Sequence, residues 1–175
     1  MSYYNPPMQV GEYTTDDSLT ADLGKTYRLD NGVFRWVVCD AAITNAGGKL
    51  MSHVFTAGAI TGHVVECATA NDFDIAGVIP IGTTGQGGSI ARTTALAASS
   101  YFLVQLSGEA SAQAANTTVA VGNPLVGTTT SGGVGSLATT VEAFAGMQGY
   151  IGYATNTVAA TAAGQLITCV LTRVA

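Results

Sequence analysis

The sequence predicts an all-β protein: a β-sandwich or β-barrel-like domain carrying an extended N-terminal arm. Three observations lead there. Short apolar stretches with period-two alternation recur at spacings of roughly 8–12 residues, as in sandwiches and barrels. Gly-rich turns separate them, drawing on 22 glycines. Helical spacing is scant, confined to IARTTALAASS (90–100) and TTVEAFAGM (139–147), both short and Thr-rich. A doubly wound α/β fold needs a helix between successive strands, and most of the chain offers none.

Residues 1–24 stand apart from the rest of the chain. They hold Tyr3, Tyr4, Pro6, Pro7 and Tyr13, then the polar run TTDDSLTADLG, with no clear period. This composition predicts an extended arm, ordered by whatever it binds. Tyrosine supplies contact area at low entropic cost, so these five residues are the expected docking set. Residues 25–175 form the β-rich domain.

KTYRL runs into Asp30-Asn31-Gly32 and on to VFRWVVC. Asn-Gly between apolar stretches is a strong hairpin signal. Phe34, Trp36 and Val38 alternate there with Val33, Arg35 and Val37. NAGGK turns into KLMSHVFT. ITGHVVECA sets His63, Val65 and Cys67 on one face and Val64 and Glu66 on the other. FDIAGVIPI is a further strand, with Pro80 marking an edge or terminus. YFLVQLSGEA aligns Phe102, Val104 and Leu106. TTVAVGNPLVG reads as two short strands around Gly122-Asn123-Pro124, and TTTSGGVGSLATT as a long mobile loop. GYIGYA and QLITCVLTR close the chain, the latter with Ile167, Cys169 and Leu171 on one face.

Charge narrows the functional classes. Charged residues make up 10% of the 175, against roughly 25% in an ordinary domain. Beyond residue 75 only Arg92, Glu109, Glu142 and Arg173 remain. Two surfaces fit this pattern: one covered by neighbouring subunits, or a Ser/Thr-coated β surface facing water. A formal charge of −5 with no basic cluster argues against nucleic acid. No apolar run approaches the roughly 20 residues of a membrane helix. The start, MSYYNPPMQV, has no secretory pattern, so synthesis and folding in a host cytoplasm are expected. Cys39, Cys67 and Cys169 are an odd set in apolar strands, which predicts buried free thiols.

The chemistry-bearing candidates are thin. GTTGQGGS (82–89) follows a strand and places Gly82, Gly87 and Ser89 in register with a phosphate loop. Gly88 occupies the lysine position, however, so the phosphate charge has no partner and a glycine turn is the expected role. His53 reads as an ordinary strand residue. His63 and Cys67 lie some 13 Å apart on a strand, too far for one zinc ion. Asp72 and Asp74 could hold a hard cation or serve hydrolysis, but read better as a solvated turn. Trp36 with Phe34 and Tyr27 could form a sugar platform, although packing is the commoner fate of such residues. No catalytic residue, cofactor or metal is expected, and no enzyme activity.

One resemblance spans residues 25–175. GKTYRLDNG, GGKL, FDIAGVIP, YFLVQLSGEASAQ, VAVGNPLVG, a Gly/Ser/Thr loop and IGYATNTVAATAAGQLITCVL come in an order that resembles tailed-phage head decoration (cement) proteins. The resemblance implies a structural virion protein on the outer capsid surface, bound to the major capsid protein. It further implies a homo-oligomer, a trimer for choice, that clamps neighbouring subunits. Under this reading Tyr3, Tyr4, Pro6, Pro7 and Tyr13 touch the capsid. The alternative is a receptor- or glycan-binding head-fibre or tail-spike module, using Trp36 and the loop at 127–140.

Overall fold

The computed structural model describes residues 6–29, 31–70, 74–82, 88–115, 118–136, 149–159 and 164–172. Eleven strands dominate it: β1 (Tyr13–Thr14), β2 (Thr26–Leu29), β3 (Gly32–Cys39), β4 (Leu50–Thr56), β5 (Ala59–Glu66), β6 (Ile75–Val78), β7 (Tyr101–Gln113), β8 (Pro124–Gly127), β9 (Val134–Ser136), β10 (Tyr150–Ala154) and β11 (Leu166–Leu171). The all-β expectation holds, and the architecture is barrel-like.

Five strands close on themselves in the order β3-β5-β4-β6-β7, with β7 returning to β3. Only β3 and β5 run parallel, through Val38–His63 and Cys39–Val64. The seam between β6 and β7 is a single pair, Val78–Gln105. Inside lie Val37, Cys39, Met51, Val64, Phe102, Val104 and Leu106, closed off by Ile43, Ile79, Ile90 and Leu96 from the connections. The alternation read in YFLVQL is therefore the inward face of β7.

β7 is long because it serves two sheets. Tyr101–Ser107 pairs with β3, and Gly108–Gln113 pairs with β11. The change of partner falls at Gly108, whose φ is +98° and where a side chain would collide with the Asn31 carbonyl. Only glycine fits there. The second sheet continues β11-β10-β8-β9 and comes back to the β7 extension through the bridge Ala114–Val134. Its core of Ala112, Leu125, Val134, Ile151, Ile167, Cys169 and Leu171 is continuous with Leu50, Ile75 and Val78, on the outer face of β4 and β6. The alternation of Ile167, Cys169 and Leu171 is thus borne out.

The expected loop at 128–140 is ordered over its described part. Gly132–Gly135 is buried and β9 lies within it, because Val134 fills the second core and Leu50 N donates to Gly132 O at 2.8 Å. Low complexity concealed one buried valine and its backbone pairing. Of the two helical candidates, 90–100 forms turns and an isolated bridge rather than a helix, and 139–147 lies outside the described residues. A short 3-10 helix, Asp17–Asp22, was not expected; Asp16 caps it by accepting from Ser18 N at 2.9 Å.

Candidate functional site

The N-terminal segment gives the clearest departure from expectation. Its described part, residues 6–24, is seated on the outer face of β3 and β7. Phe34, Trp36, Val38, Tyr101 and Leu103 form a third apolar cluster there with Tyr27, and Met8, Val10, Leu19 and Leu23 cover it. Trp36 Nε1 donates to Leu19 O at 3.1 Å, and Gly24 N donates to Trp36 O at 2.9 Å. β3 is consequently buried on both faces. Trp36 has no exposed surface and stacks near Tyr101 with ring centroids 6.1 Å apart. It cannot serve as a sugar platform, because residues 6–24 of the expected extended arm are its lid.

The five expected docking residues separate. Tyr3 and Tyr4 lie outside the described residues. Pro6 and Pro7 line an open groove with Met8, Val10 and Leu29 along the edge strand β2. Tyr13 sits elsewhere. It pairs with Phe102, donates from its backbone N to Gly88 O at 2.8 Å, and packs against the first barrel's core. The structure gathers the prolines into one surface and assigns Tyr13 to internal packing.

The glycine stretch finds a partner in the same segment. Residues 83–87 lie outside the described residues, but both flanks are held. Ser89 bridges Glu12, Gly82 N donates to Ile90 O at 2.9 Å, and Ile90 N donates to Gly11 O at 2.6 Å. Gly11 and Gly82 pack so closely that neither has space for a Cβ. These glycines serve backbone approach between two segments of one chain.

The other chemical candidates are scattered. His53 is buried with Arg35, whose Nη1 lies 2.8 Å from His53 Nε2; arginine has no acceptor, so the ring nitrogen accepts. His63 pairs with Asp40 at the surface, while Cys67 belongs to the second core, so this pair is not brought together. Asp72 lies outside the described residues, and the Asp74 carbonyl accepts from His53 N at 2.6 Å. Among the described residues no three His, Cys, Asp or Glu side chains converge as metal ligands. All three cysteines are buried free thiols, as expected. Burial raises the Cys39 thiol and pushes Cys169 up to about 11, which makes both poor nucleophiles near neutral pH.

Two surfaces remain that the sequence did not single out. The β4–β5 hairpin extends beyond its neighbours: among the described residues, 54–61 make ladder pairs only with each other. It turns through Ala57 and Gly58, with φ of 51° and 79°. It carries no charge over VFTAGAITG, and the cross-strand pair Phe55 and Ile60 is 42% and 46% exposed. Alternation along KLMSHVFT and ITGHVVECA showed the strands, but not where their neighbours stop.

The second is an open cleft of about 490 Å³ where the two barrels meet beside Gly108. Asn31 and Gln105 come from the first barrel. Glu109, Ser111 and Thr168 stand on the outward face of β7 and β11, and Thr155 comes just after β10. Gln105 is 3% exposed, its Nε2 held by Glu109 O at 2.8 Å and Ser107 O at 3.2 Å. These residues are far apart in sequence and carry no motif.

Comparison with known proteins gives one result of note. No family model and no curated protein matches the chain. Among solved structures, a phage protein is similar. It is the N base of the head fiber gp8.5 of bacteriophage phi29, with 15% identity and a TM-score of 0.46, covering 80% of this chain and 93% of that one.

Proposed function

We propose that this chain is a structural virion protein that binds the outer surface of a phage capsid and stabilises the shell. The observation that carries the reading is the β4–β5 hairpin, an apolar and uncharged ribbon standing clear of the barrel. An isolated two-stranded ribbon is marginal in water, and exposed apolar hairpins are ordinarily covered by a partner. The proline-lined groove beside β2 supplies a second contact area. The class of partner, a major capsid protein, comes from the resemblance across residues 25–175, and a trimer remains the favoured assembly.

The test is co-sedimentation with purified, undecorated capsids. Removing residues 1–24 would uncover Trp36 and unfold the domain, so the informative variants are smaller. Deletion of residues 1–7 and the pair Phe55→Ser/Ile60→Ser should each weaken binding at least about 10-fold, or 1.4 kcal/mol. Circular dichroism should stay unchanged in both. Full binding by the combined variant refutes the proposal. Sedimentation equilibrium of the free chain reads the oligomeric state.

A further inference from the structure

We propose that the cleft between the two barrels is a binding site for a neutral saccharide. Its volume, about 490 Å³, lies within the roughly 300–1,000 Å³ of small-molecule sites. Its polar groups suit hydroxyl recognition: the Asn31 amide, hydroxyls at Ser111, Thr155 and Thr168, and one carboxylate at Glu109, beside an apolar wall that includes Val10, Pro80 and Ile81. Such a set both donates and accepts, as a polyol requires. The groups are placed by rigid strands. Ser111 stands opposite Thr168, and Thr155 N donates to Thr168 O at 2.8 Å. One row along the same face, beyond the cleft's own lining, Glu109 stands opposite Val170 and Val170 opposite Tyr153, which is 40% exposed. The held carboxamide of Gln105 adds preorganisation at the inner wall.

Other ligand classes fit worse. Among the described residues no lysine or arginine lines the cleft, which favours a neutral ligand over phosphates, acidic sugars and nucleic acid. An added peptide strand needs a free sheet edge; β10 and β11 are each paired on both sides, and on the Gly108–Gln113 part of β7, which pairs with β11, the Glu109 carbonyl is taken by Gln105 Nε2. The inference stands apart from the capsid reading, since it uses neither the hairpin nor the prolines.

The experiment is saturation-transfer NMR with calorimetry on the full chain. The probes are glucose, galactose, mannose, N-acetylglucosamine and their short oligomers, with sialyllactose as the charged comparator. At least one neutral saccharide should bind saturably with a Kd of about 1 mM or tighter. Glu109→Gln and Thr168→Val should each weaken it about 5-fold, the worth of one hydrogen bond. Ser111→Phe, an exposed-face change that fills the cleft, should abolish binding; should that variant not fold, Thr168→Val with unchanged circular dichroism carries the test alone. The proposal is overturned by no binding of any neutral probe, by binding of sialyllactose alone, or by binding that these substitutions leave unchanged.

Discussion

Replacing Trp36 tests the claim that residues 6–24 are part of the folded domain. The side chain is wholly buried between β3 and the N-terminal segment, and its Nε1 donates to Leu19 O. Truncating so large a buried ring to alanine costs about 3–5 kcal/mol. Total stability for a domain is roughly 5–15 kcal/mol, so Trp36→Ala removes a large fraction of it. Trp36→Phe keeps an aromatic ring but loses the N–H donor and some volume, for about 2 kcal/mol. At this chain length 1 kcal/mol corresponds to about 2–4 °C, which places the Phe variant about 4–8 °C lower in Tm. Urea unfolding followed by circular dichroism measures both, since the chain's single tryptophan is the residue replaced. Trypsin reads the lid separately: Lys25 is exposed just beyond the segment, and cleavage there should quicken in proportion to the lost stability. A projecting arm gives another outcome. If Trp36→Ala costs less than about 1 kcal/mol and cleavage at Lys25 is unchanged, the packing of this segment is refuted.

Three further outcomes rest on the same packing. Glu66 accepts from Lys49 Nζ at 2.7 Å and from Ser131, both in the junction of the barrels, so Glu66→Gln should cost about 3 kcal/mol. Hydrogen exchange should locate the damage at the Leu50 and Gly132 amides, which tie residue 132 to β4 and to Cys67. Gly108→Ala imposes a left-handed backbone and a collision with the Asn31 carbonyl, for at least about 2 kcal/mol in the same urea assay. Stability should also fall in alkali. Burial, then the Asp22 carboxylate, lifts the Tyr27 hydroxyl to about 12, and burial lifts Cys169 to about 11. A group that ionises later when folded contributes fully below its unfolded pKa and loses that contribution as pH rises through the folded one. The loss therefore runs from about pH 9 to 12, roughly 2–3 kcal/mol for Cys169 and less for the more solvent-screened Tyr27, and Tyr27→Phe should flatten its upper part in a pH series of urea melts.

What was legible in the sequence was whatever depended on neighbours along the chain. The turn signal Asp30-Asn31-Gly32 located the β2–β3 hairpin, in which Leu29 pairs with Gly32, and strict alternation gave the inward faces of β7 and β11, because side chains alternate across a strand whatever it later packs against. What stayed hidden depended on a partner distant in the chain. Val33, Arg35 and Val37 alternate with Phe34, Trp36 and Val38, and alternation alone predicts one wet face. Nothing local says that Leu19 and Leu23 will cover the other, since both sit among the acids and threonines of TTDDSLTADLG. The cleft residues were invisible for the same reason: serine and threonine on an outward face look like a solubilising coat until β7 bends at Gly108 and sets a second barrel beside them.

The glycine stretch joins these two cases. A phosphate loop needs its glycines for close approach of backbone to ligand, and here the same permissiveness brings Gly82 against Gly11. The requirement that produces G-x-x-x-x-G is proximity, and a sequence cannot say whether a phosphate or a neighbouring backbone meets it. Lysine decides the matter chemically, and Gly88 in its place left a backbone partner as the answer. That partner is the N-terminal segment, whose Tyr13 N donates to Gly88 O. Sequence features that look detached from the domain, a glycine run and a polar N-terminal stretch, therefore secure one another, and the N-terminal stretch closes over Trp36. The capsid contacts proposed above, Phe55 and Ile60 on the hairpin and Pro6 and Pro7 in the groove, are none of the residues that make this lock.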